Sequence, residues 1–356
     1  MSTLVGRIGA LIRRLADGSR DDAGRDALLS ELQAYQAQAV PPYGRLVEQA
    51  RAAGNPSPAL PTDVFRYARV ASFGEAEEVR VFRTSGTTLG VRGAHPFRDL
   101  SLYDQAARAA AAYALFPEGR PMRLLVLAPG AEAVPDSSLS YMLGRFLEWF
   151  GTPSSEVLWG DGGLKVPRLV EVLAGACRAA EPVALLGTSF AFVHAEDALG
   201  EVRFQLPVGS RVMQTGGFKG RSREVAPEEM TALLAARYGV PAAFQAQEYG
   251  MTELSSQMYS AGLRQAVLGG PAVPVGSRFW VPGWVRVQAV DPETLKPVTP
   301  GETGILRIDD LANVDSVSAI QTSDMARVVG QDLYLLGRAP GAVPRGCSLA
   351  IEEALG

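Results

Sequence analysis

At 356 residues the chain exceeds a typical single domain, so one large domain or two closely joined ones are expected. A hydrophobic share of 47% suits a globular protein with a real core, and a net charge of -4 without a long Lys/Arg run removes the electrostatic case for nucleic acid. The two cysteines, Cys177 and Cys347, make no disulfide framework and have no metal-ligand spacing, which suits a reducing cytoplasm.

In chain order, Leu4, Ile8, Leu11, Ile12 and Leu15 recur at helical spacing with arginines between them. They predict a helix packed on the body and not a signal peptide, and no apolar run is long enough to cross a bilayer. Asn55-Pro56-Ser57-Pro58, with Pro61 beyond, reads as a linker closing a helical N-terminal region. From about residue 78 strand and helix signals alternate. Val79, Val81 and Phe82 predict a strand ending at a Gly/Thr loop, and Ser101 with Asp104 a capping-box start for an Ala-rich helix.

Arg123 to Ala128 predicts a buried strand, and Leu139, Met142, Leu143, Phe146, Leu147 and Phe150 one face of a helix. Val183 to Leu186 and Arg211 to Gln214 predict further strands. Pro227 before Glu228 and Glu229 predicts a helix start, because proline lacks only an amide that would be unpaired there. Ala242 to Gln245 reads as a strand leading into a loop. Beyond about residue 277 the helices fade, and Trp284 to Val290 with Gly304 to Ile308 predict antiparallel strands. The expected fold is α/β, sheets flanked by helices, with a β-rich C-terminal part.

Three segments carry chemistry. In Arg83-Thr84-Ser85-Gly86-Thr87-Thr88-Leu89-Gly90, small residues let backbone amides approach a phosphate and three hydroxyls add donors. No Gly-Lys-Ser/Thr follows, so this is not a Walker A loop, and taken alone such a cluster is usually just a loop. Gln247-Glu248-Tyr249-Gly250-Met251-Thr252-Glu253 sets a carboxylate beside hydroxyls after a strand, which suits magnesium bridging phosphates or a simple turn. Gln321-Thr322-Ser323-Asp324 offers an acid to ribose hydroxyls or forms a β-turn.

Together, Thr84-Ser85-Gly86-Thr87-Thr88, Tyr249-Gly250-Met251-Thr252-Glu253, Thr322-Ser323-Asp324 and Gly337-Arg338 resemble, in order and spacing, the core motifs of the adenylate-forming enzymes. Within that superfamily, Thr215-Gly216-Gly217-Phe218-Lys219-Gly220 and Arg345-Gly346-Cys347-Ser348-Leu349 resemble the LuxE-type acyl-protein synthetases. The resemblance implies ATP-dependent activation of a carboxylic acid, of the fatty class, to an acyl-adenylate. It also implies passage of the acyl group to an enzyme cysteine and on to a partner acyl reductase.

By matching position, Thr84, Ser85, Gly86, Thr87 and Thr88 would hold the ATP phosphates. Tyr249 and Gly250 would flank adenine, with Gly216 and Gly217 letting the base lie against the backbone. Thr252 would contact the acyl phosphate, Glu253 would hold Mg2+, and Asp324 would bind the ribose with Arg338 beside it. Lys219 is a candidate phosphate cation on reach alone, and equally a solvated surface lysine.

The linker and the helix and strand signals divide the chain into a helical region packed on the core (residues 1–60), an α/β core (61–276) and a β-rich subdomain (277–356), and the resemblance makes that core nucleotide- and acyl-binding. Most relatives continue past Gly337-Arg338 into a lid domain for which this sequence has no room, so a core without the usual lid is expected. Cys347 stands where the family's acyl acceptor is expected. Its thiolate, favoured by Arg345, would attack the acyl-adenylate, though most free cysteines are inert packing groups. Cys177 reads as packing. His95 either touches nucleotide or packs, and Phe190, Phe192, Val193 and His194 are candidate acyl-pocket residues. Two other readings stay open: an acid-CoA or amide-forming ligase with a separate acceptor, and a non-catalytic nucleotide- or acyl-binding relative.

Overall fold

The structure is a computed structural model. It describes every residue except 1, 53, 55–56, 86–90, 217–224, 272, 274–277, 340–349, 353 and 356. The chain opens with helices α1 (Ser2–Arg14), α2 (Asp22–Ala39) and α3 (Pro41–Ala52), strand β1 (Leu60–Pro61), helix α4 (Val64–Tyr67), and strands β2 (Arg80–Arg83) and β3 (Ala94–Phe97). Next come α5 (Ser101–Ala114), β4 (Arg123–Leu127), α6 (Ser138–Phe150), β5 (Glu156–Val157), β6 (Trp159–Gly160), β7 (Gly163–Leu164) and α7 (Val166–Ala179). They are followed by β8 (Val183–Thr188), α8 (Ser189–Leu199), β9 (Arg211–Thr215), α9 (Pro227–Tyr238), β10 (Gln245–Tyr249), β11 (Met258–Ser260) and α10 (Gly262–Val267). The remaining strands are β12 (Arg278–Trp280), β13 (Val285–Val290), β14 (Thr303–Asp310), β15 (Ala319–Val329) and β16 (Asp332–Arg338). Two compact units result: Met1–Ala110, Met251–Met258 and Ser277–Gly356 form the first, and Ala111–Gly250 with Tyr259–Gly276 the second.

In the first unit, α1 buries Leu4, Ile8, Leu11 and Ile12, and Leu15 just past its end is buried with them, as the spacing predicts. The Asp21 carboxylate caps α2 by accepting the Gly24 amide at 2.8 Å. The sheet runs β13-β14-β15-β16-β12. The pairs β13–β14, β14–β15, β15–β16 and β16–β12 are antiparallel. The segment expected to be a linker is instead docked where it is described. β1 pairs in parallel with β15, Leu60 opposite Ile320 and Pro61 opposite Gln321. The Ser57 carbonyl accepts Arg307 Nη1 at 2.7 Å, and the Tyr43 hydroxyl donates to the Pro58 carbonyl at 3.2 Å. Just past Pro61, the Thr62 amide donates to the Gln321 carbonyl at 3.1 Å, so the pairing goes on without an amide at the proline.

The second unit has a parallel sheet, β10-β9-β8-β4-β5, with β11 beside β10. Side chains alternate across it. One face (Leu125, Leu127, Val183, Leu185 and Val212) packs on α7, α8 and α9 through Leu169, Leu173, Phe192, Val193 and Leu234. Alternate residues Leu124, Val126, Leu186 and Met213 are buried toward the other face. The strand read at Ala242 to Gln245 begins later. Pro241, φ −58°, opens a 3-10 turn over Ala242–Phe244, closed by Phe244 N donating to the Pro241 carbonyl at 2.8 Å. Gln247, Glu248 and Tyr249 therefore lie on β10 itself. α5 begins at Ser101, where the sequence places a helix start, and the Asp99 carboxylate accepts the Ser101 amide at 2.6 Å.

Candidate functional site

In the first unit β2 and β3 form an antiparallel hairpin, Arg83 opposite Ala94, whose connection holds the Ser/Thr/Gly motif. Thr84 closes it: its amide donates to the Gly93 carbonyl at 2.9 Å, and its Oγ1 accepts the Gly93 amide at 2.9 Å. Arg92 Nε donates to the Thr84 carbonyl at 2.6 Å. The Thr84 hydroxyl thus serves the hairpin first and keeps its own proton as a donor. Ser85 starts the loop, while Gly86, Thr87 and Thr88 lie outside the described residues.

His95 on β3 connects this hairpin to the second motif. Its ring lies 4.2 Å from that of Phe97 and edge-on to Phe65 at 5.7 Å, and it is buried. Nδ1 sits 2.7 Å from the Thr252 carbonyl, which can only accept, so Nδ1 carries the proton. Burial pushes the ring's pKa down to about 4, despite that hydrogen bond, and the histidine is neutral. Nε2 is then a bare acceptor, buried without a hydrogen-bond partner among the described residues. Of the two roles open to His95, the structure supplies the packed one, with a grip on Thr252 added.

The neighbouring carbonyl is held as well. Asn313 Nδ2 donates to Glu253 O at 2.8 Å and to Val317 O at 2.9 Å, and Ser255 Oγ donates to Asn313 Oδ1 at 2.6 Å. The Asp310 carboxylate accepts the Ser255 and Ser256 amides at 3.0 and 2.8 Å, the Ser256 hydroxyl at 2.7 Å and the Ala312 amide at 2.9 Å. Two carbonyl clamps and this carboxylate fix the backbone that presents Thr252 and Glu253. Glu253 is a buried single carboxylate, and among the described residues no group of three or more His, Cys, Asp or Glu could hold a metal. That donor set fits a magnesium ion that takes most of its ligands from phosphates and water.

Thr322-Ser323-Asp324 is not a β-turn but part of β15. The register with β16 shifts between Asp324 and Ala326, and such a bulge re-aims a side chain. Asp324 stands opposite Arg338, whose Nε is 3.4 Å from Oδ1. Arg338 is 85% exposed, and Gly337 before it has φ +98°, which favours glycine. Thr322 is buried; its hydroxyl donates to the Leu306 carbonyl at 2.8 Å and accepts the Asp324 amide at 3.1 Å.

In the second unit, Gly216 follows β9 with φ +72°, and the Ser189 hydroxyl donates to its carbonyl at 3.0 Å. Tyr249 ends β10 and Gly250 follows, so Gly216 and Tyr249 occupy adjacent strand ends. Gly217 and Lys219 lie outside the described residues, as do Arg345 and Cys347. Phe192 and Val193 are fully buried in the helix–sheet core and so cannot line an acyl pocket; Phe190 stacks on His194 at 6.3 Å. Cys177 packs on the same core, its thiol 3.3 Å from the Gln205 carbonyl.

Three contributors escaped the sequence reading: His95 as a clamp, Asn313, and Glu248, whose carboxylate accepts the Thr215 hydroxyl. Only Glu248 carried a local signal, a charged residue at a strand position facing inward.

A family model described as acyl-protein synthetase, LuxE matches residues 52–356. The long-chain-fatty-acid–luciferin-component ligase of Aliivibrio fischeri is 32% identical over 87 residues, spanning 22% of this chain and 23% of that protein. The match thus covers less than a quarter of that relative's length. Among solved structures, ATP-bound MatB from Rhodopseudomonas palustris is similar with a TM-score of 0.51 and 15% identity, over 75% of this chain and 49% of that one. A 2-hydroxyisobutyryl-CoA ligase in complex with 2-HIB-AMP and CoA is similar with a TM-score of 0.62 and 14% identity, over 93% of this chain and 79% of that one. At these identities the structural likeness is one of fold. Among the described residues no helix is long and apolar enough to cross a membrane.

Proposed function

The chain belongs to the LuxE acyl-protein synthetase family, and from that premise we propose that it is a ligase that activates a carboxylic acid with ATP and carries the acyl group as a thioester on Cys347. The match over residues 52–356 carries the reading. The doubly clamped Thr252–Glu253 backbone and the facing Asp324 and Arg338 support it.

The substrate carboxylate is already ionised at neutral pH, so attack on the α-phosphorus of ATP needs no general base. It forms the acyl-adenylate and expels pyrophosphate. The protein's task is to hold two anions together and stabilise the developing charge. Thr84, Ser85, Gly86, Thr87 and Thr88 supply amides and hydroxyls to the phosphates, Thr252 contacts the acyl phosphate, and Asp324 with Arg338 holds the ribose. Gly216, Gly217, Tyr249 and Gly250 flank adenine. Magnesium, held through Glu253, supplies charge neutralisation on the phosphate oxygens when bound.

In the second step the Cys347 thiolate attacks the acyl carbon, forming the thioester and releasing AMP; Arg345 favours the thiolate. The acid is of the long-chain class named for the Aliivibrio fischeri relative, and, as the family resemblance implies, the thioester passes to an acyl reductase.

Intact-mass spectrometry after incubation with ATP, magnesium and a panel of acids tests this. An acyl-sized gain in the wild type, absent from Cys347→Ser, is expected. AMP and pyrophosphate without any gain would move the acceptor to another molecule, and no AMP with any acid would overturn the activation reading.

A further inference from the structure

Three polar side chains stand in one row across the second unit's parallel sheet. Thr188 on β8 is in register with Thr215 on β9, and Thr215 with Glu248 on β10. Register partners in parallel strands point to one face, so the row spans about 10 Å at an interstrand spacing of about 4.8 Å. That face is the one opposite the α7–α9 core, since Val212, three residues before Thr215, belongs to the core side. The row also sits at the carboxyl ends of the strands, where open α/β sheets bind ligands.

The chemistry of the row is specific. Glu248 and Thr215 are each only 8% exposed. Among the described residues Glu248 has no cationic partner, and its hydrogen bond comes from the Thr215 hydroxyl. Thr188 Oγ1 is occupied as the cap of α8, accepting the Ala191 amide at 3.1 Å. A buried carboxylate offers about four acceptor sites, and burying it with one hydroxyl partner is costly. Burial pushes its pKa up to about 7. A plain alkyl chain laid along this face would leave those acceptor sites unpaired.

We propose that Glu248, with Thr215, is the specificity determinant for the acid substrate and recognises a hydrogen-bond donor on its body, so that the preferred acids carry a hydroxyl or amino substituent. This rests on the activation reading, which sets Gly216 and Tyr249, the residues immediately after Thr215 and Glu248, against adenine. It narrows the acid from a plain fatty chain to a substituted one.

The test is acid-dependent exchange of pyrophosphate into ATP with matched acids: straight-chain and aromatic parents beside their hydroxy- and amino-substituted counterparts. A site that hydrogen-bonds a substrate OH or NH rejects the analogue lacking it strongly, so a preference of at least ~100-fold in kcat/KM for substituted acids is expected. Glu248→Leu should lose that preference and gain on the parents. Glu248→Gln, nearly the same size and still able to accept from Thr215, should shift it in the same direction, which guards against a folding defect in the leucine variant. Parents exchanging as well as substituted acids in the wild type, or a preference unchanged in both variants, overturns the inference while leaving acid activation standing. Exchange with no acid at all would instead remove the activation reading, and this inference with it.

Discussion

His95→Gln removes a buried imidazole that holds the Thr252 carbonyl at 2.7 Å between the rings of Phe65 and Phe97. Its pKa falls from 6.5 to about 4 on folding, chiefly through burial. The unfolded chain therefore takes up a proton first as pH falls. Stability from the neutral ring is complete above pH 6.5 and is lost as pH drops through 4, by roughly 3 kcal/mol in all and about 2 kcal/mol by pH 5. Glutamine can replace the donor but not the ring packing, so at pH 7.5 the variant should be less stable by about 1–2 kcal/mol. Urea unfolding between pH 5 and 7.5 should show the wild type losing that advantage as pH falls, with the variant equal or ahead at pH 5. Parallel curves across this range would refute the reasoning, because they would mean the imidazole is not buried and neutral in the folded chain.

Glu248→Gln should behave oppositely. Its folded pKa is raised, so the stability from its protonated form is present below 4.5 and lost as pH rises through 7. Near pH 8 the variant should exceed the wild type by up to roughly 3 kcal/mol in urea unfolding, and the gap should vanish near pH 4. Asp310→Ala strips a buried acceptor from three amides and the Ser256 hydroxyl, which itself accepts Trp284 Nε1 at 3.0 Å. A loss of roughly 3–5 kcal/mol is expected, with altered tryptophan emission in the folded state. Gly216→Ala meets no atom of the described residues within 4 Å but keeps φ +72°, so thermal unfolding should register backbone strain of about 1–2 kcal/mol. Arg338→Ala breaks a pair whose arginine is 85% exposed. Stability should stay within about 0.5 kcal/mol while pyrophosphate exchange falls at least ~10-fold; preserved exchange would remove Arg338 from the site.

By itself the sequence determined the elements whose signal is local. The spacing of Leu4, Ile8, Leu11 and Ile12 places them on one helical face, and Val183 to Leu186 are apolar on both sides of a strand. Pro227 could only begin a helix, and the ordered motifs were enough to name the family. What only the tertiary structure decided was pairing between distant residues. No local pattern tells Leu60 that it will pair with Ile320, Thr322 that it will lie in a strand, or that Ala59 and Leu60 will be buried where prolines suggest a linker. Residues 1–110 and 277–356 belong to one compact unit only through such contacts. The same holds at the site: His95 and Asn313 grip carbonyls 157 and 60 residues away. Glu248 faces Thr215 across 33 residues because strand register, not sequence distance, sets which side chains meet. Local propensity and periodicity are written along the chain, whereas burial, and with it the pKa shifts of His95 and Glu248, exists only once distant segments exclude water together.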